Sequence, residues 1–181
     1  MIRIFITLAV FALLMMVVAL CLGMYLGDIH GQHNPDTLRW AMVHRLLGMA
    51  AALAVVLVDS IVITYFIGTS RWCKEVVETY RLESELLRRS VLLKRRTFPW
   101  ALASMLVVIG VSALGAAADP MSGRVGTEQW VDIHLCGAWA GLAFIAVAFY
   151  FQAQNIAAHH AVIDDIVAQV RRIRTERGLE V

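Results

Sequence analysis

Charge is scarce in this sequence: only 17% of its 181 residues are Asp, Glu, Lys or Arg. A soluble domain carries about a quarter, so much of the chain is not built to face water. Proline and cysteine occur three times each, and no C-x-x-C pair is present, which excludes a disulfide scaffold and the common zinc or iron–sulfur spacings. Cys21, Cys73 and Cys136 read as lone thiols, with a Cys21–Cys136 disulfide as the alternative if the outer ends of those two spans touch. No Ser/His/Asp signature and no glycine-rich phosphate loop is found, so neither hydrolysis nor nucleotide chemistry has a motif to rest on. The formal net charge of +2 gives no basis for nucleic-acid binding.

What the chain has instead is apolar length. Hydrophobic residues make up 60% of it and the mean hydropathy is +0.70. A hydrocarbon core of about 30 Å takes roughly 20 helical residues to cross. Four stretches meet that length: residues 4–27, 43–67, 99–118 and 133–153. The expected fold is an all-α, four-transmembrane-helix bundle forming a single membrane domain over residues 1–181. Thr37 suits the N-cap of the second helix, and Pro99 suits the first turn of the third.

Lys and Arg fix the expected orientation, because they collect on the cytoplasmic side of short loops. The connector from Arg71 to Arg96 holds eight of the 16 basic residues, the tail from Arg171 to Arg177 holds four, and Arg3 opens the chain. Only Arg39, Arg45 and Arg124 flank the other face. Both termini are therefore expected in the cytoplasm of a cell whose inner membrane the chain spans. After the second and fourth spans the pattern turns amphipathic, over residues 70–96 and 157–177, predicting helical extensions into the cytoplasm. Beyond the lipid bilayer, such faces suit another membrane or cytoplasmic protein, or a second copy of the chain.

One motif occurs twice. Trp40-Ala-Met-Val-His44 opens the second span and Trp130-Val-Asp-Ile-His134 opens the fourth, each placing an indole one turn outside an imidazole. Asp28 and Asp119 close the preceding spans, so each half reads as a helical hairpin with the same order of features, as a tandem duplication would produce. Two imidazoles from different helices are what a b-type haem uses as axial ligands. Ala41, Gly48, Ala52, Gly137, Ala138 and Gly141 would give a flat macrocycle clearance, and Arg45 would pair with a propionate. The same histidines would suit copper, or zinc with Asp132, or a quinone headgroup. A plainer reading is that Trp and His sit at the membrane boundary by interfacial preference.

Asp59 is the one acid deep in a span, some 22 Å inside His44 by helical rise. Such a residue is costly and marks either a function or a packing device. Ser104 and Tyr150 are expected at its depth as hydrogen-bond partners. His30, His33, Asp28 and Asp36 in the first outer loop offer a less regular metal set. Three functions remain open: a haem b or related redox subunit centred on His44 and His134 that passes electrons to a partner, a non-catalytic scaffold docking through its cytoplasmic helices, and a small transporter or proton pathway using Asp59.

Overall fold

In a computed structural model, described here over residues 1–179, four long helices account for nearly the whole chain and no strand is found among the described residues. They are α1 (Ile2–Leu26), α2 (Pro35–Tyr80), α3 (Ser84–Ala118) and α4 (Val131–Glu176). All four are long and apolar enough to cross a membrane. Each of α1 and α3 packs on both α2 and α4.

Local chemistry sets the helix ends. Gly27 ends α1 with a positive φ of 61°, its N–H returning to the Gly23 carbonyl at 3.0 Å. Asn34, rather than Thr37, caps α2: its side chain accepts from the Asp36 N–H at 2.9 Å. Pro35 then occupies the first turn, where its missing N–H costs nothing. Asp119 closes α3 and accepts from the Met121 N–H at 2.9 Å, and a 3-10 turn at Glu128–Trp130 feeds α4.

The basic connector differs from expectation. Residues 70–96 do not form one extension of the second helix, because α2 ends at Tyr80 and a turn centred on Arg81, in the left-handed conformation with φ 54°, reverses the chain into α3. Pro99 lies inside α3 instead of starting it. The reason is the buried stripe Leu86, Ser90, Thr97, Ala101, Ser104 and Val108, which runs through the proline at helical period. Losing one backbone hydrogen bond at Pro99 costs less than breaking that stripe.

The main core gathers Phe5, Ala9 and Ala12 of α1 with Val55, Val58, Val62 and Phe66 of α2, Val108 of α3, and Ile145, Phe149 and Ile156 of α4. Small residues let the backbones approach closely. Gly141 is a clear case, since a methyl there would stand 2.7 Å from Val111 Cγ2. Outward faces carry Leu53, Leu57, Leu102, Leu106 and Val147, all exposed, as lipid contact requires.

Candidate functional site

His44 and His134 project from α2 and α4 toward each other, with ring centres 6.4 Å apart and planes at 72°. Each ring lies against a glycine of the preceding helix. A Cβ on Gly23 would stand 2.9 Å from His44 Cε1, and one on Gly115 would stand 3.0 Å from His134 Cε1. Helical side chains tilt toward the N-terminus and cover the turn before them. Glycine at position 23 therefore leaves the Ala19 carbonyl open, and His44 Nδ1 reaches it at 3.0 Å.

That contact fixes the tautomer. A carbonyl only accepts, so Nδ1 carries the proton and Nε2 keeps its lone pair. The His134 ring lies against Gly115 as the His44 ring lies against Gly23, but its Nδ1 is buried without a hydrogen-bond partner. The Trp40 and Trp130 indoles stay exposed.

Several expected neighbours lie elsewhere. Gly137 and Gly141 do not clear space beside the histidines, because Leu114 and Val111 of α3 fill the positions next to them. Gly48 does open onto free space, with nothing within 4 Å of an added Cβ. Arg45 holds Asp119, its Nη1 standing 2.9 and 2.8 Å from the two carboxylate oxygens. The guanidinium is thereby committed to the end of α3 rather than left free at the surface. Arg39, Arg45, Ile29 and Met121 line a shallow cleft of about 290 Å³ beside it.

The first outer loop is tied down by side chains. The His30 N–H donates to Asp28 Oδ1 at 2.9 Å, and His30 Nδ1 lies 2.5 Å from the same oxygen. On its other side His30 Nε2 meets Thr127 Oγ1 at 2.7 Å, joining the two outer loops. These bonds hold the Asp28 carboxyl below its usual range. No three His, Cys, Asp or Glu side chains gather into a metal site among the described residues, and Cys21, Cys73 and Cys136 are free thiols.

Asp59 is fully buried. Ser104 donates to its Oδ2, but Tyr150 is 60% exposed and faces away. The other carboxyl oxygen instead accepts from Gln152 Nε2 at 2.9 Å. Gln152 lies two residues beyond Tyr150, close to a half-turn of helix, which rotates one inward and the other outward.

A further buried polar layer escaped sequence reasoning. His159 Nε2 meets Ser90 Oγ at 2.8 Å and its Nδ1 meets the Tyr65 hydroxyl at 3.3 Å, while Ser90 donates to Ser70 at 3.3 Å. One consistent chain runs through these groups with a neutral imidazole: Tyr65 donates to Nδ1, Nε2–H donates to Ser90, and Ser90 donates to Ser70. Heptad spacing was the available signal, since Gln152 and His159 on α4, and Ser90, Thr97 and Ser104 on α3, recur at seven-residue intervals.

Comparison with family models, curated proteins and solved structures returns no match.

Proposed function

We propose that this chain is an integral membrane bundle of two tandem helical hairpins that holds one b-type haem between His44 and His134 and exchanges electrons with a protein partner. The observation that carries the reading is the separation of the imidazoles. Two iron–nitrogen bonds of about 2 Å, plus about 1.1 Å from each nitrogen to its ring centre, require ring centres about 6 Å apart; the histidines stand at 6.4 Å. A haem held there by His44 and His134 would supply one-electron transfer.

The chain's own residues support that role. The Ala19 carbonyl orients His44 and increases the donor strength of Nε2, as second-shell acceptors do for ligating imidazoles. Gly23 and Gly115 set the depth of the two rings, and their equivalent places in the hairpins support a duplication. The Arg45–Asp119 pair anchors α2 to the end of α3 beside His44, so that one ligand's helix is fixed against its neighbour. The basic residues argue that the histidine end faces outward across the cell's inner membrane, with both termini in the cytoplasm. There the end of α2, the start of α3 and the end of α4 project as extensions suited to partner contact.

The test is the optical spectrum of protein purified in detergent after haem-replete expression. Soret and α bands of a six-coordinate haem, at one haem per chain and lost in both His44→Ala and His134→Ala, are expected. No bands, or bands that survive both substitutions, would refute the reading.

A further inference from the structure

The interior layer of Asp59, Ser104 and Gln152 has one polar atom without a partner. All three side chains are fully buried. Gln152 Nε2 donates to Asp59 Oδ1 at 2.9 Å and Ser104 donates to Oδ2, yet Gln152 Oε1, on the same amide, is buried with no hydrogen bond. An unsatisfied buried carbonyl costs on the order of 1–3 kcal/mol. A merely structural carboxyl clasp would be cheaper with a side chain that left no such atom.

From this geometry we infer that Asp59, Ser104 and Gln152 form a binding site for a monovalent cation, taking Na⁺ in exchange for the Asp59 proton. Charge and donor type decide the class. The layer holds one carboxyl group and two neutral side chains, so a monovalent ion on the ionised carboxylate leaves it neutral. A divalent ion would leave a net charge in a low-dielectric interior, which is expensive. The donors are a carboxylate, a hydroxyl and an amide oxygen, hard oxygens suited to alkali and alkaline-earth ions rather than to soft metals.

The protonated state also pairs the carboxyl and the hydroxyl. Ser104 Oγ lies 3.1 Å from the Ala101 carbonyl. With the proton on Asp59, the acid donates to Ser104 and the Ser104 hydroxyl donates to Ala101, so both of those hydrogens have acceptors. Binding then breaks the Asp59 O–H bond, releases H⁺ to the medium and places Na⁺ on the carboxylate. Turning the Gln152 amide about its last torsion points Oε1 at the ion and moves Nε2 to the unpartnered position. Thr97, one heptad along α3 from Ser104, is the buried polar side chain between this layer and that of Ser90 and His159, where Val62 and Ile156 are also fully buried, whereas Val55, Val108 and Ile145 occupy the interior on the His44 side.

Infrared difference spectra of the full-length protein in nanodiscs test this directly. In Na⁺-free buffer a carboxylic-acid C=O band absent from Asp59→Asn is expected, and NaCl should remove it while N-methylglucamine chloride should not. Gln152→Leu should keep the acid band but need at least tenfold more NaCl to lose it. An Asp59 band that NaCl leaves unchanged, or no Asp59-dependent acid band in the Na⁺-free state, overturns the proposal. A band lost equally readily in Gln152→Leu and wild type would overturn the role of the amide. None of these outcomes depends on haem.

Discussion

Gly23 governs His44 more directly than any residue beside the histidine in sequence, because its missing Cβ both makes room for the ring and exposes the Ala19 carbonyl that orients it. An alanine methyl would stand 2.9 Å from the imidazole, and forcing such a contact costs about 1–3 kcal/mol. Gly23→Ala should therefore weaken haem retention by about tenfold or more, read from the haem-to-protein absorbance ratio after purification. Gly48→Ala is the matched control on α2. Nothing lies within 4 Å of its added methyl, so haem content should hold and helix propensity should raise stability by up to about 1 kcal/mol. Equal loss in both variants would show that the close approach at Gly23 has no special part. At this scale the sequence displayed the histidines plainly, because their Trp-x3-His spacing repeats. It hid the glycines, since nothing local distinguishes Gly23 from Gly48, and only the approach of a second helix does.

Among the elements, the two outer loops show how short side chains lock a turn. His30 bridges Asp28 and Thr127, and the Asp28 carboxyl is held below its ordinary value of 3.8 by the hydrogen bonds from His30. A depressed carboxylate contributes while it is ionised, so this lock is in place above the usual carboxylate range and is lost as pH falls through the lowered value. Amide exchange in the first loop should speed up only below about pH 4, and Thr127→Val should produce the same loosening at neutral pH. Protection that rises on acidification would contradict the assignment. The loop was readable as turn-forming from its Gly, Asn, Pro and Asp, but its partner lies 97 residues away, beyond any local pattern. Pro99 misleads in the opposite direction: as a local signal it marks a helix start, yet the stripe from Leu86 to Val108 runs through it because burial is a property of the whole face.

For the whole molecule, apolar length and the placement of Lys and Arg carry most of what can be read without coordinates. Four helices of membrane-crossing length follow from composition alone, whereas the turn at Arg81 does not, because amphipathic sequence continues on both sides of it. The interior then arranges its polar groups in separated layers: His44 with His134, Asp59 with Ser104 and Gln152, and His159 with Ser90, Ser70 and Tyr65. Between the last two lie Val62 and Ile156, fully buried. Orientation is tested with membrane-impermeant thiol reagents on intact cells, after the three native cysteines are replaced by serine. Gln32→Cys should be labelled directly and Glu83→Cys only after permeabilisation, and the reverse pattern would contradict the proposed topology.

The central proposal is that His44 and His134 ligate the same iron, and low-temperature electron paramagnetic resonance of the oxidised protein tests it most directly. The imidazole planes cross at 72°. Axial ligand planes that are nearly perpendicular leave two iron d orbitals close in energy, so a strongly anisotropic low-spin ferric signal is predicted, giving way to a high-spin signal in either His→Ala variant. A high-spin signal in the wild-type protein, or a low-spin signal unchanged by losing either histidine, would contradict it.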